Sequence, residues 1–411
     1  MPKNQVFPAA TIAAILVAVA STQALAQSNS AKVSANQLVE AAIKGDPIAQ
    51  FQIGLVYYVD GDNQDFNKAF KMFSRSAEQG NAMAQHRLGL MYFHGQGVEK
   101  DLTKAWTLWT QSADLGNPDS QLKLATSYRL LDKSDQALHW YLKLAEHPSD
   151  YFAEAQFEVG LAYYNGQGVE QNYSEAAKRF RTAADSGWPR AYFYLGVSHE
   201  DGLGVEQNYQ AAIRWYQKGA EQGDSAAQVN LGVMHRLGKG VPQDFAEAAK
   251  WSRKAADQGD VVGQLKLGLM YSAGEGVAKD LKQAAFWMRR AALQGNASAQ
   301  YHLGWAYKHG EGVNQDFAQA AEWYRKSADQ GQGTAQYSLY GMYRWGEGVI
   351  QDYVQAHFWL NLAAAQANGN ELKELSQYRD DLASRMTSAQ IAEAQRLARE
   401  WKPATLPQLT K

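Results

Sequence analysis

The chain of 411 residues contains no cysteine. Disulfides, thiolate nucleophiles and cysteine-ligated zinc are excluded by that count alone. Lipid attachment through an N-terminal cysteine is excluded as well. A chain without thiols is indifferent to redox compartment, so the count says nothing of location. A basic excess is also missing: 40 Lys and Arg stand against 42 Asp and Glu, a formal net charge of −2. Nucleic-acid binders carry a basic excess or stripe, and anionic membrane surfaces recruit Lys/Arg clusters. Neither kind of partner is expected. The nine histidines form no HExxH or other ligand cluster, and there is no GxSxG elbow or Walker loop. No metal and no cofactor is expected.

What is present begins with the first 26 residues. Lys3 is the only charge before an apolar run from Ala9 to Ala20, and Ala24-Leu25-Ala26 follows as a small-x-small triplet. This is the pattern of a secretory signal peptide. The run is shorter than the ~20 residues that a membrane-spanning helix needs. Cleavage after Ala26 and a periplasmic or secreted location are expected, with residues 27–34 as a flexible lead-in and no later membrane segment. At 45% hydrophobic and 12% aromatic residues, the remainder has material for a buried core.

Self-comparison organises that remainder. Trp215, Trp251, Trp287, Trp323 and Trp359 are each 36 residues apart. Gly166, Gly202, Gly238, Gly274, Gly310 and Gly346 keep the same step, as do Gly187, Gly223, Gly259, Gly295 and Gly331. Nine units follow one plan, opening at Ala49, Ala84, Ser120, Ala155, Ala191, Ala227, Gly263, Ala299 and Ala335. A half-unit around Ala42 precedes them.

Each unit predicts two helices. In the unit opening at Ala299, the residues Ala299, Leu303, Gly304 and Tyr307 form one apolar face at a 3.6-residue period. Gly310-Glu311-Gly312 breaks the helix, since glycine takes positive φ without strain. That GxG recurs in seven units and follows no strand, so it is not a nucleotide loop. Asp316 and Gln319 predict a capping box at the start of the second helix, repeated at Asn172/Glu175, Asp244/Glu247, Asp280/Gln283 and Asp352/Gln355. The second helix buries Ala320, Trp323 or Tyr324, and Ala328, and ends at Gly331. The Gln after each opening residue (Gln85, Gln156, Gln228, Gln264, Gln300, Gln336) reads as a structural hydrogen-bonding group. Short loops force the two helices of a unit to be antiparallel.

The motifs Ala-Gln-x-x-Leu-Gly-x-x-Tyr, Gly-x-Gly-Val, Asp-x-x-x-Ala-x-x-Trp-Tyr and Ala-x-Gln-Gly resemble the Sel1-like repeat family, relatives of the tetratricopeptide repeats. The resemblance spans roughly residues 35–370. It implies an all-α, right-handed superhelical solenoid of antiparallel helix pairs. It also implies a protein-binding role, known in the family from regulators of periplasmic sensor kinases, exopolysaccharide-export scaffolds and virulence factors that contact host proteins. Two departures stand out. The unit at 120–154 lacks Gly-x-Gly-Val, carries only Asp132-Lys133-Ser134-Asp135 between its helices, and reads as tetratricopeptide-like, with a change of curvature expected there. The last unit has Tyr340 where others have Gly. Residues 371–403 predict two capping helices with an N-cap signal at Thr387, and 404–411 a frayed tail.

Candidate binding residues come from the first helices, which line the concave surface in tetratricopeptide relatives. At offsets 3, 6 and 10 from the opening residue the side chains vary while the core positions repeat. These positions include Arg87 and His94, then Tyr194, then His302, Trp305 and His309, then Trp345. Trp305 and Trp345 lie off the 36-residue register, and Lys308 and Arg344 are near them. Interface hot spots favour Trp, Tyr and Arg. Two readings stand: these side chains form a protein-binding hot spot, or they pack under the C-terminal cap. His302 and His309, two turns or roughly 10 Å apart, are poorly placed to share a metal.

Ser120-Gln121-Leu122-Lys123 matches the SxxK of serine β-lactamases, an activity described for some cysteine-rich Sel1-like proteins. No KTG or SDN accompanies it, and Ser120 fills a position held by Ala in other units. The expected function is an exported, monomeric adaptor for a partner protein rather than an enzyme. A β-lactamase or peptidoglycan hydrolase and a glycan-binding module are the alternatives.

Overall fold

Helix ends in this chain are written by short side chains. Asp and Asn at N-caps accept the orphan backbone N–H groups of the first turn, and glycine with positive φ closes the last. In the computed structural model, which describes residues 35–59, 61 and 64–404, these signals deliver 21 α-helices and, among the described residues, no strand. Residues 1–26, read above as a signal peptide, residues 27–34 and residues 405–411 lie outside the described residues. Asn81, Asn117, Asp224, Asp260 and Asn296 each accept a bond from the backbone N–H three residues on and so start the first helix of a unit. Asp316 does the same for Gln319 at the start of a second helix. The reciprocal bond of a capping box is absent there. Glu175 turns to Arg179 at 2.8 Å and Glu247 to Lys250 at 2.8 Å. Among the described residues the full box forms at Thr387/Gln390. An Asn or Asp N-cap that already holds its N–H leaves a Glu at N3 free for an ion pair one turn on.

The unit at 297–332 shows the construction. Its first helix, Ala297–His309, buries Ala299, Leu303, Gly304 and Ala306, while Tyr307 is half-buried. Its second, Phe317–Asp329, buries Ala320, Trp323, Tyr324 and Ala328. A Cβ on Gly304 would stand 2.7 Å from the Tyr324 ring, so the missing side chain is what lets the ring lie flat on the first helix. Gly310 caps the first helix at φ 70°. Gly312, at φ 75°, packs so closely on the preceding unit that a Cβ would overlap the Leu281 carbonyl. The second glycine of each GxG is thus an inter-unit contact as well as a turn residue.

Buried glutamines join the units. Gln300 donates to Ala292 O of the preceding unit at 3.1 Å and accepts from Gln330 of its own at 2.7 Å. Gln50/Gln79, Gln228/Gln258, Gln264/Gln294 and Gln336/Gln366 repeat the arrangement. Arg179 replaces the second glutamine at Gln156. Gln85 has no such partner, because Leu115 occupies that place, and its Oε1 is left unbonded.

The chain divides into two compact units. One holds the described residues up to Ala191 with Leu203–Val205; the other holds Tyr192–Gly202 and the described residues from Glu206 onward. Each is a stack of helix pairs in which successive helices pack on one another. In the first, the helix Ala35–Ile43 packs on Pro47–Tyr58 as the half-unit. The irregular unit has helices Pro118–Leu130 and Ser134–Leu144 joined by Leu131–Lys133 alone, with Asp132 at φ 54° supplying the positive-φ turn that glycines supply in other units. The division of the chain falls at Ala191–Glu206 and not at this unit, whose helices pack on both neighbours. In the second, the helices Gly369–Ala383 and Ser388–Glu400 pack on Tyr353–Gln366 and bury Leu375, Leu382 and Ala394 against a core that includes Trp359.

Candidate protein-binding surface

The variable positions of the first helices in the last units line two grooves within the second compact unit. A groove of about 480 Å³ is lined by Val233, Lys266, Leu269, Ala273, His302 and Trp305, side chains drawn from three successive first helices. A wider one, about 1000 Å³, takes Trp305, Lys308, His309, Ser338, Gly341, Arg344 and Trp345. Trp305 and Tyr301 line both. In these last units the offset positions, spared by the repeat core, lie on the face where the grooves run.

Trp345 is 63% exposed and Trp305 43%, so neither is packed away under the cap. The residues that meet the cap are others. Tyr340, in the place of the repeat glycine, is buried and stacks on Tyr378 with ring centroids 6.3 Å apart. Tyr337 lies 6.2 Å from the same ring. His309 stacks on Trp305 at 4.0 Å, and Arg344 stands over the Trp345 ring at 4.7 Å. His302 faces the narrower groove, where burial pushes its imidazole below the usual range.

The two cations singled out in the sequence are not free. Lys308 pairs with Glu347 at 2.8 Å. Arg344 pairs with Asp381 of the cap at 2.6 Å and also bonds the Tyr340 hydroxyl. Arg344 is therefore a tie between the last unit and the cap. Tyr194 lines neither groove and sits half-buried beside Phe193 at 5.2 Å. Arg87 and His94 belong to the first compact unit. Arg87 lies over the Tyr58 ring at 5.9 Å, and His94 is exposed beside Phe93. The structure adds Tyr337, Tyr378, Glu371 and Glu374 to the wider groove. Glu371, Glu374 and Tyr378 come from the cap, beyond the last repeat, where the 36-residue comparison has no purchase.

The Ser120 motif is assembled for packing. Ser120 is 0% exposed, donates to Ser112 Oγ at 2.9 Å and meets His86 Nδ1 at 2.8 Å. Lys123 lies over the Phe93 and Trp109 rings, 5.2 Å from each. A nucleophile needs access and a base within hydrogen-bond reach of a substrate-exposed oxygen, and Ser120 lacks the access. Among the described residues, no group of three or more His, Cys, Asp or Glu side chains could hold a metal ion, and no helix is long and apolar enough to cross a membrane.

Helix pairs at a 36-residue step, glutamine joints and GxG contacts define a helical-repeat solenoid. The Sel1 repeat profile matches nine times, at residues 47–81, 82–117, 118–149, 153–188, 189–224, 225–260, 261–296, 297–332 and 335–368, and the chain belongs to the Sel1 repeat family. Solved structures agree. A protective antigen of uropathogenic Escherichia coli strains with an SLR fold is 29% identical, with a TM-score of 0.57 over 95% of this chain and 91% of that one. A Sel1 repeat protein from Oxalobacter formigenes is 31% identical, with a TM-score of 0.53 over 59% of this chain and 96% of that one.

Proposed function

We propose that this protein is an exported adaptor that holds a partner protein in the two grooves meeting at Trp305. The observation that carries the reading is the exposure of Trp305 and Trp345. Both rings lie outside the repeat register, leave the core complete without them, and are exposed in a groove of about 1000 Å³. Aromatic anchors in a concave, water-excluding site supply most of the binding energy at protein interfaces. Export is supported by the charged, apolar and small-x-small segments of the first 26 residues, and it fits the antigen role of the Escherichia coli relative.

Affinity capture tests the binding role. Residues 27–411 are incubated with envelope extract beside a Trp305→Ala/Trp345→Ala variant shown by circular dichroism to be folded. A partner retained by the native chain and lost by the variant is the expected result; a partner retained by both would move the site elsewhere. Export is checked by N-terminal sequencing of the periplasmic fraction, with Gln27 expected first. The adaptor acts without catalysis on this reading. Nitrocefin turnover that disappears in Ser120→Ala would overturn that part.

A further inference from the structure

We propose that the occupant of the wider groove is a cationic segment of the partner, bearing Arg or Lys side chains; this rests on the adaptor reading above. Charge bookkeeping within the groove points there. Lys308 is neutralised by Glu347 at 2.8 Å, and Arg344 by Asp381 at 2.6 Å. Glu371 and Glu374 are exposed on the groove wall, and neither has an ion-pair partner among the described residues. Once the internal pairs are cancelled, the charge left facing the groove is that of two carboxylates one helical turn apart.

The aromatic lining has the same preference. Trp305, Tyr337, Trp345 and Tyr378 all line this groove and are each at least 39% exposed. The face of an indole or phenol ring attracts a cation, and a guanidinium stacks on it while still donating to a carboxylate. Arg344 already stands over Trp345 at 4.7 Å, and Lys254 and Lys326 ride on Trp251 and Trp323 at 4.1 and 4.2 Å. Cation-on-indole contact is thus a working packing unit in this protein. At Trp345, which is 63% exposed, ring surface remains for a cation from outside. An acidic segment would meet Glu371 and Glu374 with like charge and find both groove cations engaged.

The test measures binding of two labelled heptapeptides, Arg-Gly-Arg-Gly-Arg-Gly-Arg and its Glu counterpart, to the purified chain by fluorescence anisotropy at physiological salt. Chitotetraose serves as a sugar competitor. The Arg peptide is expected to bind and the Glu peptide not. Glu371→Gln/Glu374→Gln and Trp345→Ala are each expected to weaken binding by roughly tenfold. Glu99→Gln/Glu170→Gln, the same charge change at exposed sites in the other compact unit, is expected to leave it unaltered. No binding of the Arg peptide, equal binding of both peptides, an equal loss in the control pair, or displacement by chitotetraose would each overturn the proposal. If affinity capture still yields a partner dependent on Trp305 and Trp345, the adaptor reading survives and the cationic occupant falls. If capture fails as well, both fall.

Discussion

The joint at Gln300 and the stretch from Gln85 to Asp132 perform the same task with different parts. At Gln300 the buried amide is bonded at both ends, to Ala292 O and to Gln330. At Gln85 it donates to Ala77 O, but Leu115 leaves its carbonyl without a partner. The regular unit turns on two glycines, whereas the irregular one turns on Asp132 at φ 54°. Where the regular array has Ala at its opening position, the irregular unit inserts Ser120, and a Ser112–Ser120–His86 chain fills the joint. Repetition lets one solution serve many joints. Where repetition lapses, polar side chains improvise, and one of them can titrate.

The largest expected effect comes from breaking the regular joint. Gly312→Val forces a branched residue into positive φ and drives its Cβ into the Leu281 carbonyl. A loss of about 4 kcal/mol is expected, read from urea unfolding. Asp132→Gly, at the matching turn, should instead be neutral or stabilising, since glycine adopts that φ freely.

The titrating joint comes next. Burial pushes the His86 imidazole down to about 4 from its ordinary 6.5, so the folded chain favours the neutral ring. Its contribution is complete above pH 6.5 and is lost as pH falls toward 4. The shift corresponds to about 3 kcal/mol. Hydrogen-exchange protection of the helices 82–94 and 102–114 should drop across that window in the native chain. In His86→Asn the drop should be much smaller; an unchanged drop would remove His86 as its cause.

A smaller, opposite effect sharpens the contrast. Leu115→Gln restores the missing partner of Gln85 at an exposed position, and should stabilise the chain by about 1 kcal/mol in the same urea experiment. The smallest effect is expected at Trp345→Ala, within about 0.5 kcal/mol of the native chain, because its ring is outside the core. A large loss there would give Trp345 a structural role and undercut the groove as a binding surface.

Most of the fold was legible because the same local signals are written nine times. One Asp or one GxG is weak evidence; seven GxG turns at a fixed step are strong. The buried glutamines were legible as structural for the same reason, though their partners were not, since Gln330 lies 30 residues from Gln300 in the chain. Of the candidate surface, the offset pattern identified Trp305, His309 and Trp345 as non-core. The pairing of Lys308 and Arg344 could not be read, because Glu347 follows a turn and Asp381 lies in the cap outside the period. Glu371, Glu374 and Tyr378 escaped for that same reason. The capping-box reading failed because the sequence pattern fits two geometries; at Glu175 and Glu247 the N3 carboxylate pairs with a cation one turn on.

The second glycine of each GxG has a consequence for how such chains grow. Gly312 packs on the start of the preceding second helix, and Gly276 and Gly348 do the same one unit earlier and one unit later. Each 36-residue segment therefore carries both halves of a coupling, a socket at one end and a plug at the other. An in-frame duplication or deletion of one whole segment rejoins a socket to a plug with no new chemistry required. Array length is then a quantity that recombination can alter in a single step, while the aromatic groove beside the cap stays with the last segments.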